Sequence, residues 1–272
     1  MLDLRSTLMW RLIALLATGL LAAVIANPMV TLADDGPALA TTPRPRARLP
    51  LIASSGSGCA ATGQSYGTVT PVDPYSGDAA TQPDINLAVR GYVATTAYLG
   101  LVDYQGNVDL GAPQFPSLFT DNRTPQFSSG AKVYRWDWTC NCRGDPITKW
   151  DVTLLGMATS PGEIIRLPVA GYDIGGGYGA MVMYAEETRL TLKYTIEDTP
   201  ATGYVIYLEH MCTDPNLLAL YRQLNAAGRG QLPALYPGQP LGRARGGQIA
   251  IAVRDAGSLL DPRSRKDWWQ GR

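Results

Sequence analysis

A single imidazole sets the first limit on the chemistry of this sequence: among 272 residues, His210 is the one histidine. A zinc site with two or three histidine ligands cannot be built from it, and any imidazole-based triad must use that residue. It follows an apolar run and stands two positions before Cys212, a placement that suits a strand-end histidine better than a general base. No G-x-S-x-G nucleophile elbow occurs. Carboxylates are more plentiful. Asp137, Asp151, Glu163, Glu186 and Glu187 fall near the ends of segments that read as strands, where two could flank a glycosidic bond. Aromatic rings form a second resource. Lys132 to Cys140 alternates, with Tyr134, Trp136, Trp138 and Cys140 on one face and Val133, Arg135, Asp137 and Thr139 on the other. Such a face is either buried core or a platform for sugar rings, and core is the commoner fate. Gly175-Gly176-Gly177-Tyr178-Gly179 reads as a tight turn into a strand. A phosphate-cradling loop would require a helix to follow it.

These residues need a scaffold, and the patterning is that of a mainly β protein. Short apolar runs at 150–155, 163–169, 180–185, 189–195 and 204–209 are separated by Ser160-Pro161-Gly162, by the glycine run and by Thr199-Pro200. Residues 101–104 and 108–110 around Gln105-Gly106-Asn107 read as a hairpin, and 233–253 returns to strand character. One helix is signalled by Asp214 as N-cap, Pro215 at the first helical position, Gly228 past the end, and Leu217, Leu218, Tyr221 and Leu224 on one face. The expectation is a β-sandwich or half-barrel with one helical insertion. Trp268-Trp269, in a Pro- and Arg-rich tail, is expected to pack back onto the domain.

Arg5 and Arg11 precede a 14-residue apolar run, Leu12 to Ile25, with small-x-small cleavage sites ending at Ala26 and Ala33. The run has the length of a signal-peptide core and falls short of the roughly 20 residues of a membrane span. Residues 1–33 therefore read as a signal peptide or, uncleaved, an anchor; 34–65, rich in Pro, Ser, Gly and Thr, as a disordered spacer; and 66–272 as a single β-rich domain. Export suits the even cysteine count. Strain disfavours a Cys140–Cys142 bridge, which leaves Cys59–Cys140 with Cys142–Cys212, or Cys59–Cys142 with Cys140–Cys212. A C-x-C with two remote cysteines is not a zinc-finger spacing.

The 23 basic and 23 acidic residues cancel, which argues against a nucleic-acid partner. They are unevenly spread. Residues 60–215 carry a net −8 and residues 216–272 a net +6, as expected of faces that attract one another within one fold.

The C-terminal half carries a resemblance. Leu235-Tyr236-Pro237-Gly238-Gln239-Pro240-Leu241-Gly242 resembles the V-x-x-G-Q-x-I-G turn of lysostaphin-like zinc endopeptidases. Gln248 to Arg254, then Gly257 and Asp261-Pro262, is similar to that family's H-L-H-F-E-V-R strand and the G and D-P after it. Upstream, Gly177-Tyr178-Gly179 looks like the family's G-Y-G, Leu190 to Tyr194 like its T-x-Y-A-H strand, and Asp151 stands near its ligand Asp. The resemblance spans roughly 150–262, is strongest at 235–262, and leaves 200–233 as an insertion. The family's zinc-ligand and catalytic His positions fall on Gln248, Ala250 and Ile196, or on Gln223 in place of Ile196 in a second alignment. The resemblance thus implies a degenerate copy without the zinc–water nucleophile. No catalytic residue, metal ligand or cofactor is expected.

The function expected is that of an exported, non-catalytic envelope or extracellular module. Its partner would be peptidoglycan glycan or peptide, or an envelope protein, with the membrane reached only through an uncleaved N-terminal segment. The expected ligand groove gathers Asp151, Tyr178, Tyr194 and Gln248, with Trp136 and Trp138. The competing readings are a polysaccharide hydrolase using paired carboxylates and a purely structural surface protein. Two carboxyl groups about 5–9 Å apart in a cleft would favour the hydrolase.

Overall fold

The computed structural model describes residues 59–272. The segments read as signal peptide and most of the spacer lie outside the described residues. Fourteen strands follow one another: β1 (Gly67–Val69), β2 (Tyr92–Ala94), β3 (Phe127–Asp137), β4 (Cys142–Pro146), β5 (Leu154–Ala158), β6 (Ile164–Arg166) and β7 (Ala180–Ala185). Then come β8 (Arg189–Lys193), β9 (Tyr204–Glu209), β10 (Met211–Thr213), β11 (Leu232–Leu235), β12 (Pro240–Ala244), β13 (Gln248–Asp255) and β14 (Ser258–Leu260). Among the described residues three α-helices punctuate them: α1 (Leu87–Arg90), α2 (Pro215–Ala226) and α3 (Arg265–Trp268).

Eleven strands form one sheet in the order β1-β11-β7-β8-β9-β13-β5-β3-β2, with β14 beside β13 and β4 beside β3; β10-β12-β6 form a second. All named pairs are antiparallel. The fold is mainly β, 36% strand and 11% helical, with no closed barrel among the described residues, as a sandwich or half-barrel with a helical insertion requires.

The middle of the large sheet is buried on both faces, and period-2 patterning divides it cleanly. Ile249, Ile251 and Val253 of β13 and Ile206 and Leu208 of β9 enter the main core. Ala250, Ala252, Val205 and Tyr207 point the other way, into a smaller cluster closed by Leu87 of α1. The C-terminal tryptophans complete the main core, both essentially inaccessible. Trp268 stacks on Phe115 at 5.7 Å, and Trp269 packs against Phe127 at 5.3 Å. Their indole N–H groups donate to Asp261 O and Pro262 O, each at 2.9 Å, so no buried donor is left over.

α2 forms where its signals put it. Asp214 Oδ1 accepts from the backbone of Asn216 at 2.8 Å and Leu217 at 3.4 Å, and Leu217, Leu218 and Tyr221 are buried. The glycine run is a turn with positive φ at Gly175, Gly176 and Gly177 that leads directly into β7.

Four expectations are corrected. The cysteines pair as Cys59–Cys212 and Cys140–Cys142. The C-x-C bridge forms because it closes the β3–β4 hairpin: Asn141 takes φ 51° and reverses the chain, bringing the two Cα atoms to 5.2 Å, inside the normal range. Cys59–Cys212 also ties down the end of the presumed spacer. Thr62 donates from both N and Oγ1 to Asp214 Oδ2 at 2.6 Å, and Tyr66 Oη donates to Pro240 O at 3.0 Å, so residues 59–65 belong to the domain. Residues 101–110 form no hairpin: Val102 bridges in parallel to Ser264, and Leu110 is 84% exposed. Finally, the aromatic face of β3 is not core. Val133, from the opposite face, is the buried member, while Trp138 is 59% exposed at the hairpin tip.

Charge of opposite sign meets across the fold. Arg229 pairs with Asp198, Arg254 with Asp84, Arg222 with Glu187 and Arg265 with Asp103, each joining the basic C-terminal segment to the acidic body.

Burial also shapes the alkaline stability. Lys193 is inaccessible at the end of β8, where its ammonium donates to Thr202 O, and burial pulls its pKa down to about 8. The unfolded chain binds that proton more tightly, so stability rises with pH between about 8 and 10. The tyrosines act oppositely. Desolvation pushes Tyr104, Tyr172 and Tyr221 up to about 12 and Tyr184, Tyr194, Tyr204 and Tyr207 upward as well. Above pH ~10 the unfolded chain loses these protons first, and stability falls. Denaturant titrations across this range should show a maximum near pH 10. Lys193→Met should flatten the rising limb and leave the falling one.

Candidate functional site

A concavity lies at one end of the large sheet, where β8 and β13 end and β9 begins. Tyr204 at the start of β9 pairs with Asp255 at the end of β13, and Tyr194, just past β8, donates its backbone N–H to Tyr204 O at 3.1 Å. The loop at 104–109, Trp150 and the tail from Leu260 to Trp268 complete a cleft of about 360 Å³. It continues into hollows of about 240 and 290 Å³. Asp109, Tyr204 and Asp255 border the first two; Tyr172, Tyr194 and Thr195 border the second and third.

The groove is built from rings and carboxylates. Trp150 and Tyr104 meet edge to face at 5.0 Å, and Trp150 is fixed by donating its indole N–H to Leu259 O at 3.0 Å. Tyr172 and Tyr204 both donate to Asp109 Oδ2, at 2.5 and 2.8 Å, and Gly111 N–H donates to Oδ1 at 2.8 Å. The Tyr172 bond above all, with those from Tyr204 and Gly111, holds the Asp109 carboxyl below its ordinary range. Asp261 is engaged on both oxygens: Arg263 donates to Oδ1 and Oδ2, and Tyr104 Oη to Oδ2 at 2.9 Å. Asp267 takes Ser264 Oγ at 2.5 Å and Lys266 Nζ at 2.7 Å. Asp255, half-buried, is the groove aspartate with no side-chain hydrogen bond or ion pair among the described residues.

The arrangement can stack on sugar rings and accept hydrogen bonds from hydroxyl, amide or ammonium groups. Glycoside hydrolysis by a carboxyl pair needs one of the two kept protonated by a raised pKa. Asp109 is driven the other way, and Asp261 and Asp267 spend their acceptor capacity on structure.

The expected groove residues do not converge. Tyr194 lines the hollows, but its ring is buried and its hydroxyl donates to Pro168 O at 2.9 Å. Asp151 is exposed beside Trp150 in sequence. Gln248 opens β13 at the opposite end of the sheet, where Ser128 and Ser129 donate to its Oε1 at 2.6 and 3.1 Å. Tyr178 packs on Tyr236 at 4.5 Å, near β1. Trp136 and Trp138 meet edge to face at 6.5 Å on the β3–β4 hairpin.

Of the positions aligned to metal ligands, Ala250 is buried on β13, Gln223 is exposed on α2, and Ile196 lies past the end of β8, across the sheet from Gln248. Among the described residues, no group of three or more His, Cys, Asp or Glu side chains is placed to hold a metal ion. His210 sits with φ 63° just after β9, its Nε2 3.1 Å from Tyr92 Oη, and burial lowers its pKa. No described helix is long and apolar enough to cross a membrane.

Sequence reasoning missed Tyr104, Asp109, Trp150, Tyr172, Tyr204 and Asp255. One signal was present: Asp103-Tyr104, Trp150-Asp151, Tyr172-Asp173 and Asp267-Trp268 all place an aspartate next to an aromatic residue. Asp137-Trp138 shares that pattern and lies outside the groove, so adjacency alone is not selective.

Comparison of the chain with known protein families, with curated proteins and with solved structures finds no match.

Proposed function

We propose that this chain is an extracytoplasmic binding module that holds a glycan strand of the peptidoglycan class in the aromatic and acidic groove without cutting it. The observation that carries the reading is the composition of that groove: Trp150 and Tyr104 at one end, Tyr204 and Tyr172 further along, and carboxylates between them. Aromatic faces suit the apolar C–H surfaces of sugars, and carboxylates suit their hydroxyl and amide donors. Commitment of Asp109, Asp261 and Asp267 to tyrosine, arginine, serine and lysine donors supports binding over hydrolysis. The two disulfides and the N-terminal apolar run support a location outside the cytoplasm. The lysostaphin-like resemblance of 235–262 points to the same substrate class, with the histidines gone.

Sedimentation with purified cell walls tests this reading. The parent should be retained, and Trp150→Ala should bind at least tenfold more weakly, about 1.4 kcal/mol. Asp255→Asn should weaken binding several-fold, with melting unchanged, because its carboxylate supports no partner in the fold. No soluble fragment should be released. Retention equal to that of an unrelated β protein, or fragment release abolished by Asp255→Asn, would each count against the proposal.

A further inference from the structure

We propose that a second, basic pocket on the other flank of the β13–β14 hairpin binds a doubly charged tetrahedral oxyanion of the phosphate class. This pocket, of about 210 Å³, is lined by Arg90, Arg135, Lys149, Arg254, Gly257 and Ser258 among others. It lies beside the glycan groove and shares none of its lining residues. Arg90, the last residue of α1, and Arg254 of β13 are both buried and share one carboxylate. Arg90 Nε donates to Asp84 Oδ1 at 2.8 Å, and Arg254 Nη1 lies 2.6 Å from the same oxygen. Asp84 therefore offsets one of four cations. Arg135 and Lys149 are exposed; Arg135 Nη2 donates to Thr148 Oγ1 at 3.2 Å, and Lys149 Nζ sits 5.1 Å from the Trp150 ring centre.

A second observation points to a ligand. Arg254 is 92% buried on an 8% exposure, yet its Nε has no hydrogen-bond partner among the described residues. Its Nη2 lies 4.0 Å from where a Cβ would stand at Gly257, on the pocket wall. That Nε is itself inaccessible, so the nitrogen an anion would meet is Nη2 on the pocket wall, on a guanidinium whose burial Asp84 alone offsets. Arg90 spends Nε and Nη2 on Asp84 and Nη1 on Tyr134 O at 3.1 Å, so it adds charge while Arg254 Nη2, Arg135 and Lys149 are left to donate to phosphate or sulfate oxygens. The excess of three positive charges favours a dianion over a carboxylate.

Isothermal titration of the full chain with sodium phosphate, sodium sulfate and sodium acetate, at low ionic strength in chloride, tests the site. Phosphate and sulfate should bind saturably at one site, and acetate at least tenfold more weakly. The double variant Arg135→Gln/Lys149→Gln should lose at least tenfold in phosphate affinity while keeping the parent's circular dichroism and melting, since both side chains are exposed. Competition by a poly(glycerol phosphate) distinguishes sources. Displacement of phosphate by the polymer assigns the site to a polymer-borne phosphate, and its failure to displace assigns it to the free ion. Phosphate binding no tighter than about 10 mM, affinity unchanged in the double variant, or acetate as good as phosphate overturns the proposal.

Discussion

Replacing Cys59 and Cys212 by serine should lower the unfolding free energy by about 3–5 kcal/mol, read from the midpoint of guanidinium denaturation under oxidising conditions. The bridge spans a sequence separation of 153, and the loss of chain entropy in the unfolded state grows with the logarithm of that length, to about 5 kcal/mol for so long a loop. It also fastens residues 59–66, whose contacts with Asp214 and Pro240 depend on the segment staying in place. α2 should persist in the variant. Asp214 Oδ1 caps the helix while Oδ2 receives Thr62, so losing the segment leaves the cap intact. Serine at Cys140 and Cys142 should cost only about 1–2 kcal/mol, because by the same relation a bridge across one intervening residue removes far less chain entropy. Equal losses for the two pairs would show that loop entropy is not the main contribution.

Arg229→Met should cost about 3–5 kcal/mol. Arg229 grips Asp198 with two parallel bonds, Nε to Oδ2 at 2.8 Å and Nη2 to Oδ1 at 2.7 Å, and both side chains are inaccessible. The same guanidinium donates to Met183 O at 2.9 Å and to Asn225 Oδ1 at 2.8 Å. It thereby joins β7, the end of α2 and the loop after β8. Removing it strands a buried carboxylate that, among the described residues, keeps only the Tyr75 N–H at 2.9 Å, and an uncompensated buried charge is what makes such deletions expensive. Asp198→Asn combined with Arg229→Met should therefore be more stable than Arg229→Met alone. Urea denaturation of the parent, Arg229→Met, Asp198→Asn and the double variant measures the coupling. Additive losses would mean that the pair does not act as a unit.

Much of the scaffold was legible because local physics decided it. Asp214-Pro215 places the start of α2 to the residue, and the apolar runs at 180–185 and 204–209 coincide with β7 and β9, since continuous Val, Met, Tyr and Leu suit strands buried on both faces. The failures came where tertiary context overruled a local rule. Residues 101–110 carry strand-like residues and a turn, but Val102 instead meets Ser264, far along the chain. The C-x-C strain argument ignored the hairpin reversal at Asn141 that relieves it. Alternation in β3 identified two faces without saying which is buried, and Val133 rather than Trp136 faces the core. The groove was the least legible feature. Its walls come from 104–109, 150, 172, 204 and 255–268, which only the strand order of the large sheet brings together. Gln248 and Tyr194, which the resemblance gathered into one groove, lie at opposite ends of that sheet.

The central claim is that the groove, and not the exposed tryptophan hairpin, receives a glycan. Amide and indole chemical-shift mapping of the labelled protein with soluble peptidoglycan glycan fragments tests it most directly. The shifts should concentrate at the Trp150 indole N–H and the amides of Tyr104, Asp109, Tyr204 and Asp255, saturate together, and vanish in Trp150→Ala. Shifts confined to Trp136 and Trp138, or no saturable shifts at all, would contradict the account.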